Sequence, residues 1–239
     1  MSDLFAELDY RPTPIGTLTL RRRREPKLGI DLFEIKLGEE FLMSSLFTAS
    51  EEALARLGIA ALQGSGLDVL VGGLGLGYTA AEVLRHERVA SLTVVEMLEP
   101  VIEWHRDGLL PLGEKLVADR RCRIVAGDFF ALAAVPEGFD PDEKARRFDA
   151  ILLDIDHSPE ALLDARSTGF YRPEGLAALA GHLKPGGIFA LWSDDRPDEA
   201  FRERLAGVFA EAWIEPVTFH NPLQDRPFTQ SVYLARTKA

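Results

Sequence analysis

Two carboxylates and an imidazole fall within four residues, Asp154, Asp156 and His157, directly after the apolar run FDAILL and ahead of Ser158 and Pro159. Such a cluster can hold a cation, take a proton from an ammonium nucleophile or coordinate a metal. A metal would need further ligands that DIDH does not supply, so none is expected. The second chemistry-bearing group is the glycine run in DVLVGGLGLGYTAAEVL, where Gly73, Gly75 and Gly77 are spaced GxGxG. Glycine permits the tight turn, unusual φ values and close backbone approach that a ligand on a helix N-terminus requires. The same glycines could also serve only to pack a helix against its strand.

Glu96 lies roughly twenty residues past the glycines, where a ribose-binding acid belongs in a dinucleotide-type fingerprint. A carboxylate there accepts hydrogen bonds from vicinal hydroxyls and repels a 2′-phosphate; otherwise it is a solvated acid at a strand end. Asp128 and Phe129 follow the run CRIVAG. The acid can accept from an adenine amino group while the ring covers the base, and it can equally cap a helix beginning FFALAA with the phenylalanines in the core. His105 reads as a surface or half-buried helix residue, Trp104 as packing and His220 as a loop histidine at the end of a late strand that could line the pocket, with Trp192 to Asp195 as candidate acceptor contacts after a strand.

These residues need strands to carry them and turns to expose them. Strands are expected at 68–72, 92–96, 122–126, 148–154, 187–193, 213–219 and 230–236, and helices at 78–86, 100–108, 173–183 and 197–211. That alternation predicts an α/β fold with a doubly wound, seven-stranded Rossmann-like sheet, in which the strand ending at Asp154 lies beside the glycine-bearing one. Residues 1–49 read as a small N-terminal antiparallel β region, with strands in GTLTLRRRR, IDLFEIKLG and EEFLMSS, and 50–239 as the larger domain. A helix is expected over 51–62 with Ser50 as N-cap. Arg21 to Arg24 read as a solvated edge that discourages strand addition, in preference to a local anion site, and 136–147 as a polar surface loop.

The 239 residues are 46% hydrophobic and 27% charged, which suits a globular chain with a sizeable core. A net charge of −11 lacks the basic footprint that nucleic acid requires, and it is compatible with a cationic small substrate. No apolar run reaches the length of a membrane span, and the start MSDLFAELDY shows no basic leader or apolar signal core, so a cytoplasmic chain is expected. The single cysteine, Cys122, excludes an internal disulfide framework and reads as a small apolar residue.

In order along the chain, DVLVGGLGLG, VVEMLEP, GDFFAL, FDAILLDIDHSP and LKPGGIFALW resemble the S-adenosylmethionine-dependent methyltransferase fold. Within it, EVL after the glycine turn, EPVIEWHRDGLLPLG after Glu96 and the position of Asp154 resemble the spermidine synthase (polyamine aminopropyltransferase) family. The resemblance implies decarboxylated S-adenosylmethionine as donor, a small amine as acceptor, Asp154 as catalytic base, and donor contacts at Gly73, Gly75, Gly77, Glu96, Asp128 and Phe129. Asp156 and His157 would then face the acceptor, and a homodimer is compatible. Leu76 stands where that family has an aspartate, Leu98 where it has a second acid, and EEFLMSSLFTASEEAL where it has DGxxQ and a tyrosine, histidine, glutamate triplet. S-adenosylmethionine-dependent methyl transfer to an unknown acceptor, and a catalytically silent nucleotide-binding homologue, remain the alternatives.

Overall fold

The structure is a computed structural model that describes residues 4–239; Met1 to Asp3, part of the start read as leaderless, lie outside the described residues. Four antiparallel strands come first, β1 (Phe5–Thr13), β2 (Gly16–Glu25), β3 (Ile30–Leu37) and β4 (Glu40–Ser44), in that spatial order. β1 is not among the expected strands, and it carries Pro12. The strand sits at the sheet edge, where a missing N–H costs no ladder bond.

The arginine run needs correction. β2 is an interior strand paired on both sides, so it guards no edge. Arg21 and Arg23 clamp Glu34 of β3 at 2.6 and 2.8 Å, and Glu34 is 2% exposed. Its charge is thus met by two guanidiniums, as a buried carboxylate requires.

α1 (Ala49–Ala60) begins two residues earlier than expected, and Ser50 lies inside it rather than capping it. A tertiary partner wins over the cap: Ser50 Oγ lies 2.5 Å from Gln230 Oε1, on a strand far along the chain. The rhythm then becomes β5 (Leu67–Gly72), α2 (Tyr78–Arg85), β6 (Val89–Glu96), α3 (Glu99–Arg106), α4 (Gly113–Ala118), β7 (Cys122–Ala126) and α5 (Phe129–Ala133). β8 (Phe148–Leu153), α6 (Pro173–Ala180), β9 (Leu183–Ser193), α7 (Glu199–Ala206), β10 (Glu211–Asn221) and β11 (Arg226–Arg236) follow. α4 was not anticipated. α6 and α7 stop short of the expected ends at Gly181 and Gly207. β9 starts earlier than expected, across Gly186, whose φ of +73° accompanies a register shift against β8.

The seven strands order as β10-β11-β9-β8-β5-β6-β7, with β9 to β7 parallel and β10 and β11 antiparallel. Side chains alternate by face. Val69, Val71, Ala150 and Leu152 pack with α1 to α4 and the small sheet, while Leu70, Ile151 and Leu153 pack with α5 to α7. This burial on both faces explains the unbroken apolar runs that mark the parallel strands.

Charges pin the end of the sheet remote from the glycines. Lys184 Nζ lies 2.8 Å from both Asp68 and Asp149, and Arg146 spans Asp68 at 3.0 Å and Asp140 at 2.9 Å. The 136–147 segment is therefore more than a polar surface loop. Phe139 and Asp140 are buried, and the loop delivers an ion-pair partner to the base of β5.

Candidate active site

The chain leaves β5 for β6 on one side of the sheet and returns through β8 on the other, so β5 and β8 are neighbours at the switch point. Such a crevice at the carboxyl ends of the strands is where open α/β sheets take ligands. Here it is a cavity of about 500 Å³, walled on one side by the glycine loop and Asp154 and on another by Ile15, Ile35, Leu42 and Met43 of the small sheet.

Gly73, Gly75 and Gly77 have φ of +93°, +47° and +90°, a region closed to ordinary side chains. A Cβ on Gly73 would strike the Asp154 carbonyl oxygen, and one on Gly77 would strike Leu116 and His105. Gly73 and Gly75 line the cavity, whereas Gly77, at the N-cap of α2, does not reach it and serves packing. The loop is strutted from outside: Glu96 accepts from Leu74 N at 2.9 Å and Leu98 N at 2.8 Å. The backbone N–H groups of Gly75 and Met97 also turn toward this carboxylate, and burial pushes it above its usual value.

His105 was read as a surface or half-buried residue, and it is completely buried. Its Nε2 lies 2.9 Å from the Gly75 carbonyl oxygen, which can only accept, so the ring is the Nε2–H tautomer. Burial lowers its pKa, keeping it neutral beneath the loop. Nothing in EWHRDG distinguishes this histidine from a surface one; its depth is a tertiary fact.

Asp128 caps α5, accepting from Phe130 N at 2.9 Å and Ala131 N at 3.3 Å, both through Oδ1. Phe129 borders the cavity from within the core, packed on Phe139 and Phe170 with ring centroids 5.0 and 5.7 Å away. The half-buried Phe130 beside it also lines the cavity.

Asp154 N donates to the Gly72 carbonyl at 2.8 Å, and its side chain accepts from Thr79 Oγ1 at 2.5 Å. Burial raises the Asp154 carboxyl to about 6 while the Thr79 hydroxyl pulls it down. Asp156 lies apart from that pair in role. Its oxygens take Leu163 N at 2.8 Å and Tyr171 Oη at 2.7 Å, stapling the loop between β8 and α6. His157 reaches across to the small sheet, with Nε2 3.2 Å from Glu40 Oε1.

The residue that sequence reasoning missed is Glu51. It lines the cavity beside Asp154 and is 6% exposed. An acid in the first turn of a helix ordinarily complements the helix dipole in solvent, so its sequence position carries no signal. Burial, and next the charge of Asp154, push its carboxyl up to about 8. His220 is exposed beside Asp225, and burial drives the Cys122 thiol up to about 12, so neither serves the cavity. Among the described residues no cluster of metal-ligating side chains occurs, and no helix is long and apolar enough to cross a membrane.

Residues 48–198 match the model of the spermine/spermidine synthase domain. The polyamine aminopropyltransferase 2 of Pseudomonas aeruginosa is 29% identical over 150 residues, 60% of this chain and 40% of that protein. Its namesake in Hyperthermus butylicus is 32% identical over 146 residues, 59% of this chain and 44% of that one. The matched segments thus span less than half the length of these relatives. A spermidine synthase solved in complex with the transition-state analogue AdoDATO superimposes with a TM-score of 0.74 at 21% identity, over 96% of this chain and 73% of that one. The spermidine synthase from Thermotoga maritima gives 0.71 at 20% identity, over 96% and 72%. At these identities the structural likeness establishes the shared fold.

Proposed function

The chain belongs to the spermine/spermidine synthase family, and from that premise we propose that it transfers an aminopropyl group from decarboxylated S-adenosylmethionine to a small amine. The observation that carries this reading is the placement of Asp154, a half-buried carboxylate hydrogen-bonded beside the glycine loop at the switch point. Around it the cavity wall carries Glu51, Glu96, Asp128 and Asp156. A lining so rich in carboxyls favours a sulfonium with a cationic tail and disfavours a free carboxylate there.

In this reading Glu96 accepts the ribose hydroxyls, Gly73 and Gly75 let the donor lie against the backbone, and Asp128 Oδ2 with Phe129 bounds the adenine. The acceptor attacks as a neutral amine. Its nitrogen forms a bond to the methylene beside the sulfonium, the carbon–sulfur bond breaks, and the electron pair leaves on methylthioadenosine. Asp154 takes the amine proton. A carboxyl held near 6 is ionised at neutral pH yet basic enough to share that proton in the transition state. Asp156 would act by shaping the acceptor wall through Tyr171 and Leu163, and His157 by tying that wall to Glu40.

Methyl transfer from S-adenosylmethionine is the second reading, favoured by Leu76. The position that carries an acid in the family is here a buried apolar side chain, 2% exposed. Calorimetry with both donors, followed by product analysis with putrescine, separates the two. Preference for the decarboxylated donor with formation of a longer polyamine and methylthioadenosine supports aminopropyl transfer. Tight binding of S-adenosylmethionine alone overturns it.

A further inference from the structure

The hydrogen bonds behind Glu51 fix where a proton resides. Gln230 Nε2 lies 2.5 Å from Asp194 Oδ1, an exposed carboxylate that only accepts, so the amide nitrogen must face Asp194 and the amide oxygen must face Ser50. Ser50 Oγ is 2.5 Å from that oxygen and 2.8 Å from Glu51 Oε2. A hydroxyl has one proton, and Gln230 Oε1 can only accept it. The remaining contact, Ser50 to Glu51, is then satisfied only if Glu51 is the neutral acid and donates to Ser50. With Glu51 ionised, two acceptor oxygens would face each other inside the protein with no proton between them. The charges of Asp154 beyond β8 and of Glu52 on its own helix act in the same sense, while the Tyr78 phenol of α2 and Asp194 behind Gln230 complete the titratable surroundings. None of these brings a positive charge.

On the cavity side, the Thr79 hydroxyl gives its one proton to Asp154 and lies against the backbone of Glu51. Its Oγ1 is 2.5 Å from Asp154 Oδ2 and 3.3 Å from the Glu51 carbonyl oxygen. An unpaired acid of this kind is a poor neighbour for a second carboxylate and a good one for a cation. We propose that Glu51 is the second acid of an ammonium site in this cavity: neutral before ligand binds, it releases its proton to solvent when a primary ammonium lodges between it and Asp154. The acidic contact that Leu76 cannot make comes instead from α1. Gln230 is a positioning residue, because its amide orientation takes the Ser50 proton and so keeps Glu51 protonated. The inference rests on the aminopropyl-transfer reading only for the ligand's source, the donor's propylammonium tail or the acceptor amine.

The test is calorimetry at pH 7 in buffers of different ionisation enthalpy, with decarboxylated S-adenosylmethionine, putrescine and methylthioadenosine, on the wild-type chain, E51Q and Q230L. About one proton should be released when an ammonium ligand binds the wild type, and none when it binds E51Q. E51Q should weaken the ammonium ligand by roughly tenfold or more and leave methylthioadenosine within about twofold. Q230L frees the Ser50 proton for Glu51, so release at pH 7 should fall while the site stays intact. Release with the donor assigns the site to its tail, and release with putrescine alone assigns it to the acceptor. If methylthioadenosine does not bind but putrescine still releases a proton through Glu51, the transfer reading fails and the ammonium site stands. Absence of proton release with both amines, or equal losses of amine and methylthioadenosine affinity in E51Q, overturns the proposal.

Discussion

Replacing Glu51 by glutamine should change how stability depends on pH, by an amount that follows from the carboxyl's environment. The folded chain holds that carboxyl at about 8, against about 4.3 in an unfolded chain. Between these values the folded protein keeps a proton that the unfolded protein has lost. Stability is therefore full below about pH 4.3 and declines as pH rises toward 8. At about 1.4 kcal/mol per unit of difference, the ceiling is about 5 kcal/mol. Glu51 and Asp154 titrate as a pair, and solvent relaxation softens buried charges, so about 2–3 kcal/mol is the expected loss between pH 5 and 8. Glutamine donates to Ser50 as the neutral acid does and never ionises, so E51Q should escape this loss. Urea unfolding of both proteins at pH 5, 6, 7 and 8 gives the difference directly. His105 and His182, whose burial-lowered pKa values work in the opposite sense, cancel in that difference. A gap between E51Q and the wild type that stays constant within about 0.5 kcal/mol over this range would refute the reasoning.

On the proposed aminopropyl transfer, Asp154→Asn should lower turnover by about 100- to 10,000-fold while methylthioadenosine affinity changes little, since the proposed base is lost and the cradle kept; single-turnover kinetics beside calorimetry would check this. Gly73→Ala forces an alanine to φ +93° against the Asp154 carbonyl. It should cost more than about 2 kcal/mol and abolish nucleoside binding, as read by thermal melting with and without methylthioadenosine. His105→Phe leaves the Gly75 carbonyl without its donor, so about 1–3 kcal/mol of stability should go. Nucleoside affinity should weaken with it, and near-native affinity would show that the histidine only fills space.

The parallel core was legible because strands buried on both faces must be apolar throughout, and VLVG, LTVVE and FDAILL have few other uses. The adjacency of Asp154 and the glycine loop followed from the crossover rule, and the pairing of β5 with β8 bears it out. What stayed hidden depends on partners distant in sequence. Glu51, Ser50 and Gln230 meet only because α1 packs against β11, across 180 positions. His105 is told from a surface histidine only by its depth under Gly75. The arginine run misled for the same reason, since its counter-charge, Glu34, lies on the neighbouring strand and not in the run itself.

That clamp reaches further than its own sheet. In a β-ladder, a slip of one residue turns every side chain to the opposite face. Here a slip of β3 would expel Glu34 from between Arg21 and Arg23 and carry Ile35 and Leu37 away from Leu20 and Leu18 and out of the core. The ion pair thus works as a registration key between β2 and β3. Ile35 and Met43, a paired rung of β3 and β4, line the cavity together with Ile15 and Leu42, and Met43 Sδ sits 3.1 Å from Leu76 N of the glycine loop. Substitutions at three charged positions outside the cavity lining would therefore be read out as altered ligand fit, and the small sheet can be regarded as a mould whose key keeps its imprint aligned with the glycine loop.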